Sequence, residues 1–178
     1  MEKTIHPQNP AFCKDYYLGI ELTKKQVDIS DVEKIARKKG FREQDHRHIT
    51  ILNEKTFLPL FNKFDKSKQK KILHEIDSLI KKTDWNFTPK DIYYVAGRVS
   101  ANTDGTVEES RESFIRSVEM PSINTFIIKL NKILQADIPL RFPHITLFTK
   151  GEGKSPKFYG IPISSKEEFK KLKTKKIR

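Results

Sequence analysis

Two stretches of this chain, one ending near Thr50 and the other near Thr146, follow a single plan, and that repetition limits the folds open to it. Tyr16-Tyr17-Leu18-Gly19-Ile20-Glu21-Leu22 has strand character, Asp31 to Lys39 has helical character, and Arg47-His48-Ile49-Thr50-Ile51-Leu52 is a second strand-like run rich in β-branched residues. Ser113-Phe114-Ile115-Arg116-Ser117-Val118, then Pro121 to Leu134, then Pro143-His144-Ile145-Thr146-Leu147-Phe148 repeat that order. Leu18 stands 30 residues before His48 and Phe114 stands 30 before His144, so the two units are in register. A long unit that occurs twice predicts a pseudo-twofold fold rather than a solenoid.

Both units end in His-Ile-Thr followed by two apolar residues. Residues i and i+2 of a strand share a face, so His48 projects with Thr50, and His144 with Thr146. Pro143 puts the second copy near a strand start or an edge. Two imidazoles and two hydroxyls brought together suit a tetrahedral phosphate, with proton carriers on opposite sides and hydroxyl donors to its oxygens. One His-x-Thr pair alone is most often a solvated strand face, and a bare match arises easily by chance. The matched surroundings of the two copies are what set them apart.

These residues resemble the signature of the two-histidine (2H, LigT-like) phosphoesterases, which is two strand-borne His-x-Thr/Ser motifs, each followed by an apolar residue. The likeness runs from about Tyr16 to about Ile163, and its specific part is His48, Thr50, His144 and Thr146. It implies an α+β, bilobal, pseudo-twofold fold with two antiparallel sheets flanked by helices and a central cleft. It implies a metal-independent phosphodiesterase acting on 2′,3′-cyclic phosphates, or on 2′–5′ or 3′–5′ linkages, of RNA or RNA-derived nucleotides. The reverse, 2′–5′ ligating, reaction is part of the same expectation, and no cofactor is expected. By this resemblance His144 activates water and His48 acts as the acid. The motif itself leaves those two roles open.

Opening a cyclic phosphate needs a base for the attacking water and an acid for the departing ribose oxygen. Imidazole suits both tasks because its ordinary pKa of ~6.5 lies near working pH. Thr50 and Thr146 would donate to the non-bridging oxygens. Tyr17 and Tyr159 are further substrate-binding candidates, because an aromatic ring can stack on a base, and Arg98 is another, because a guanidinium pairs with phosphate. Phe148 and Lys150 are weaker ones. His46 shares a strand face with His48, and with His144 would make three imidazoles of the kind that bind zinc or copper. No acidic or cysteine pattern completes such a site, so no metal is expected, and His46 is read as solvated or touching substrate at the strand entrance. His74 falls off the apolar stripe of its helix and is expected to be solvated. The same pocket would also serve a non-catalytic RNA- or nucleotide-binding protein, but binding alone does not call for two titratable groups.

Composition bounds the partners. The formal net charge is +12, which favours anionic ligands: RNA ends, oligonucleotides or a cyclic nucleotide. Lys166 to Arg178 holds seven basic and two acidic residues, a basic tail read either as a solvated end or as an RNA guide. At 178 residues with 12 Phe and 5 Tyr the chain is read as a single domain over 1–178, with two lobes and a monomeric state. No apolar run approaches the ~20 residues of a membrane span, and Met1 to Phe12 lacks an apolar secretory core. Cys13 stands alone, which excludes an intramolecular disulfide and suits a reducing compartment. The expected location is the cytoplasm, or the nucleus in a eukaryote.

Elsewhere, Met1 to Cys13 is expected to pack loosely. Ser30 or Asp31 can cap the first helix and Gly40 can stop it. Lys55 to Phe64 reads as a strand followed by a loop, Asp65 to Lys82 as a helix, and Asp91 to Ser100 as a strand. Asn102 to Thr106 is a hairpin signal, since Asp-Gly suits a type I′ turn. Gly151-Glu152-Gly153 reads as a loop and Phe158 to Ile163 as a last strand. Ser164 or Ser165 can cap a terminal helix, with Glu167 or Glu168 closing a capping box.

Overall fold

The computed structural model describes residues 3–10, 17–101, 108–152 and 160–177. In chain order they form β1 (Leu18–Leu22), α1 (Ser30–Lys38), β2 (Arg42–Glu43), β3 (Arg47–Leu52), α2 (Glu54–Phe61), α3 (Lys66–Lys82), β4 (Thr88–Ala101), β5 (Glu108–Glu119), α4 (Ser122–Leu134), β6 (His144–Glu152), α5 (Lys166–Lys171) and β7 (Lys173–Lys176). This is an α+β arrangement with two antiparallel sheets, β1-β3 and β2-β6-β5-β4-β7.

The repeat seen in the sequence is present in the strand pairing. In one unit Glu21 lies opposite His48 and Gly19 opposite Thr50. In the other, Ser117 lies opposite His144 and Ile115 opposite Thr146. Adding 96, the separation of His48 from His144, carries each pair onto its counterpart. The register irregularity between Leu18 and Gly19 likewise falls on the one between Phe114 and Ile115.

The alternation expected of half-buried strands is clear in both motifs. Ile49 and Ile51 face the core, as do Ile145 and Leu147, while His48, Thr50 and Thr146 stay partly exposed and His144 is buried. One apolar core runs beneath both sheets, joining Leu18, Ile20 and Ile49 to Phe114, Phe148 and the helix residues Ile76, Phe126 and Leu130. A smaller cluster on another part of the large sheet holds Ala96, Ile115, Ile161 and Ile163, with Phe142 and Phe169 packed against it.

β2 is only two residues long, yet it fixes the relation between the sheets. Arg42 pairs with Thr149 and Glu43 with Phe148 on the edge of β6. Gln44 continues the attachment, its N–H donating to the Leu147 carbonyl at 2.9 Å and its Nε2 to Thr149 Oγ1 at 2.7 Å. The chain then enters β3 within three residues, so β3 is drawn alongside β6 and the two motifs are brought near each other.

Several local expectations change. Glu54–Phe61 is a helix, not a strand and loop. Asn53 accepts from the Thr56 N–H at 2.9 Å, and Phe57 and Phe61 stack at 5.1 Å as a buried i, i+4 pair. The cap and that pair outweigh Pro59, which removes one helical hydrogen bond. At the start of α1 neither Ser30 nor Asp31 caps. Asp28 instead accepts from the Ser30 N–H at 3.0 Å, a contact that holds its carboxyl below the usual range. Gly40 does end α1, with φ +79°, where a Cβ would be strained. The amino-terminal stretch is tied at Ile5, which exchanges two backbone hydrogen bonds with Phe87. Gly151 and Glu152 belong to β6. Residues 160–163 are not a strand, and Phe158 lies outside the described residues, as do Cys13 and the 102–106 turn.

The helix expected after Ser164 or Ser165 is present, and the largest departure concerns the basic tail beyond it. It is not a loose end. α5 begins at Ser165, whose Oγ accepts from the Glu168 N–H at 3.0 Å, while Glu168 Oε2 accepts from the Ser164 N–H at 2.7 Å. Lys173–Lys176 then pairs with β4 as the outer strand of the large sheet. Its four side chains are exposed, so the lysines keep their hydration while the backbone adds a ladder. No helix among the described residues is long and apolar enough to cross a membrane.

Candidate functional site

His48 and Thr50 on β3, and His144 and Thr146 on β6, all line one cavity of about 270 Å³. Tyr17, Gln44, Asn53, Arg141 and the segment Gly160 to Ser164 complete its wall. Two hydrophobically patterned strands thus turn their polar faces toward one space.

The His144 imidazole is held through the backbone two residues before it. His144 donates its Nδ1–H to the Phe142 carbonyl at 2.9 Å. A backbone hydrogen bond with His46 favours the charged form of His48 in the same way, and a carbonyl acceptor is what has that effect. With the Nδ1 proton committed, Nε2 of His144 keeps the lone pair that can accept a proton. Phe142 also stacks along the His144 ring, centroids 5.8 Å apart, and Phe169 stacks on Phe142 at 4.3 Å. The terminal helix therefore supports the ring of a motif histidine through one intervening aromatic.

Both histidines have lowered pKa values. For His144 burial is the main cause, reinforced by the neighbouring charge of His48 and opposed by the Phe142 hydrogen bond and by Glu168. For His48 burial again dominates, opposed first by Glu21, its cross-strand neighbour. The charge of His48 lowers the pKa of His144, and a group carrying negative charge between the two rings would oppose that effect.

Tyr17 meets His48 edge to face, centroids 5.9 Å apart, and its hydroxyl lies 3.4 Å from Thr50 Oγ1. Gly19 makes this possible. A Cβ there would come within 2.6 Å of the Tyr17 ring carbons. On the opposite wall, a Cβ on Gly160 would lie 3.1 Å from Thr146 Oγ1, so glycine lets that segment approach the hydroxyl.

The other candidates separate. Arg98 does not line the cavity. Its Nη2 is paired with Glu168 Oε1 at 2.6 Å, so it steadies the terminal helix. His46 is exposed and outside the lining, so the three-imidazole set is not assembled. Among the described residues no group of three or more His, Cys, Asp or Glu could hold a metal ion. Phe148 is in the core, and Lys150 lines a different groove with Lys39, Lys173 and Lys175. Tyr159 lies outside the described residues. His74 is exposed on α3.

Sequence reasoning missed Arg141. It stands three residues before His144, where an arginine among Leu140, Phe142 and Pro143 looks like ordinary surface charge. The structure buries it to 6% exposure in the cavity wall. It missed Asn53 and Gln44 as well, because their roles depend on a helix cap and on a two-residue strand. Comparisons with protein-family models, with curated proteins and with solved structures find no match to this chain.

Proposed function

We propose that this chain is a two-histidine phosphoesterase of bilobal α+β design, hydrolysing 2′,3′-cyclic phosphate ends, or 2′–5′ or 3′–5′ linkages, of RNA or RNA-derived nucleotides without a metal ion. The observation that carries the reading is the opening of both His/Thr pairs, 96 residues apart in the chain, into one cavity. In the reaction, neutral His144 takes a proton from water through Nε2 as the water oxygen bonds to phosphorus. The bond from phosphorus to one ribose oxygen breaks, and protonated His48 gives its proton to that oxygen. Thr50 and Thr146 donate to the non-bridging oxygens, where negative charge gathers in the transition state. The ligating direction exchanges the two histidine roles. Tyr17 stands at the edge of the cavity where a base or ribose would extend. The positive surface favours encounter with RNA.

The test is a substrate panel with EDTA present: nucleoside 2′,3′-cyclic phosphates, RNA with a cyclic phosphate end, 2′–5′ oligonucleotides and linear RNA. Product ends are identified as 2′- or 3′-phosphate. Turnover of at least one member, unaffected by the chelator, is expected. Saturable binding without turnover of any would favour a non-catalytic nucleotide-binding role for the pocket. Activity abolished by EDTA and restored by Zn²⁺ would replace this chemistry with a metal-dependent one.

A further inference from the structure

Arg141 brings a positive charge into the cavity wall without a carboxylate to neutralise it at hydrogen-bond distance. Its Nη1 donates to the Ser164 carbonyl at 2.9 Å. Its Nε and Nη2 are enclosed and have no acceptor among the described residues. Both nitrogens are shielded from solvent, so what the guanidinium brings to the cavity is its charge. Burial pulls its pKa down to about 10, which leaves it cationic at neutral pH. Glu168 is the acidic group whose charge reaches Arg141, but its oxygens are engaged by Arg98 and by the Ser164 N–H. A buried guanidinium left in this state costs several kcal/mol, and such a cost persists where a ligand relieves it.

Arg47 offers the contrast inside the same fold. It is as deeply buried, beside His48, but its Nη1 reaches the Val27 carbonyl at 2.6 Å and its Nη2 reaches Glu43 at 2.7 Å. That arginine holds chain segments together and has its counter-charge. Arg141 has neither a carboxylate nor a second anchor.

We propose that Arg141 is an anion-binding residue of the cavity, its buried guanidinium supplying positive charge beside the phosphate group held between His48 and His144. The identity of the bound group rests on the phosphoesterase reading; the need for an anion rests on Arg141 itself. Since burial holds both histidines toward their neutral forms, Arg141 is the permanent cation among the described lining residues. Anion binding therefore persists above neutral pH, and the histidines are left to move protons.

The experiment is a titration with sulfate, a dianion at every pH used, followed by NMR of the His48, His144 and Arg141 side chains at pH 6 and pH 8. Four proteins are compared: the full chain, Arg141→Gln, Arg141→Lys, and the double variant His48→Ala/His144→Ala with the Arg141 signal as reporter. At pH 8 the double variant should still bind sulfate more tightly than Arg141→Gln. Arg141→Gln should bind at least ~10-fold more weakly, the scale of one lost charge-assisted pair. Arg141→Lys should fall between them, because it keeps the charge and loses the guanidinium. If Arg141→Gln disturbs the amide spectrum, Arg141→Lys decides. Parent-like affinity in both arginine variants, or binding at pH 8 lost only with the histidines, would overturn the proposal. Sulfate binding that depends on Arg141 in a protein inert toward every phosphodiester would end the phosphoesterase reading and leave this one standing.

Discussion

His144 Nδ1 is 2.9 Å from the carbonyl oxygen of Phe142, the residue two positions before it on the strand approach. A carbonyl can only accept, so this contact fixes the proton on Nδ1 and leaves Nε2 for transfer chemistry. For His48, the backbone of His46, which precedes Phe142 by the same 96 residues that separate the two histidines, likewise favours the charged ring.

A pH dependence follows from the lowered pKa values of both rings. A histidine that must donate a proton loses its acid form as pH rises through its own, lowered, pKa, and one that must accept is blocked below it. The optimum of kcat/KM, which reports the free protein, should lie on the acid side of ~6.5. The optimum of kcat should lie higher, because a bound anion favours both protonated rings. Stability runs the other way. A buried ring whose native pKa is depressed contributes stability above ~6.5 that is lost as pH falls through the native value. Melting curves of the unliganded protein should therefore shift downward between pH 7 and pH 5, and less in the double histidine-to-alanine variant. A kcat/KM still climbing at pH 8 would count against the pair as proton carriers.

The terminal segment should matter to chemistry on small substrates. The sequence suggests that removing Lys166 to Arg178 would spare a cyclic nucleotide. In the structure that deletion removes β7, Glu168 and Phe169, and with Phe169 the ring that stacks on Phe142 behind His144. Turnover of a 2′,3′-cyclic mononucleotide should fall at least ~10-fold, with a lower melting temperature. Phe169→Ala alone should cost ~1–3 kcal/mol of stability, as for a partly buried core contact. Unchanged kcat/KM after truncation would show that the stack has no catalytic consequence.

Glycine at position 19 should be required by Tyr17. Gly19→Ala drives a methyl group into the tyrosine ring, so either Tyr17 leaves the cavity edge or β1 shifts. Tyr17→Phe removes the long 3.4 Å hydroxyl contact to Thr50 and keeps the ring. KM for a nucleotide substrate should rise more in Gly19→Ala than in Tyr17→Phe. Equal effects would assign Tyr17 no role beyond its hydroxyl.

The elements legible in the sequence were those with strong local periodicity. β3 matches its expected span, α3 and α4 agree within one residue at their starts, and the motif alternation holds in both copies. The four motif residues were legible because strand alternation and an internal repeat are both local properties. Pro59 and the irregular apolar pattern hid α2, whose stability comes from a cap and a buried Phe57–Phe61 pair. Lysine-rich residues 173–176 hid an edge strand, because pairing with β4 is a long-range event with no signature in those residues. Arg141 was invisible for a related reason. Its burial depends on Ser164, 23 residues away, folding over it.

The most direct measurement is a double-variant comparison on a 2′,3′-cyclic nucleotide with EDTA present, following the appearance of the 2′- or 3′-monophosphate. His48→Ala and His144→Ala are each expected to lose ~10²–10⁴-fold in kcat while retaining the parent's amide spectrum. Groups that act as one acid–base unit are non-additive, so the double variant should be no more than about tenfold worse than the weaker single variant. Full activity in either single variant would contradict paired catalysis across the cavity, as would losses that multiply in the double variant.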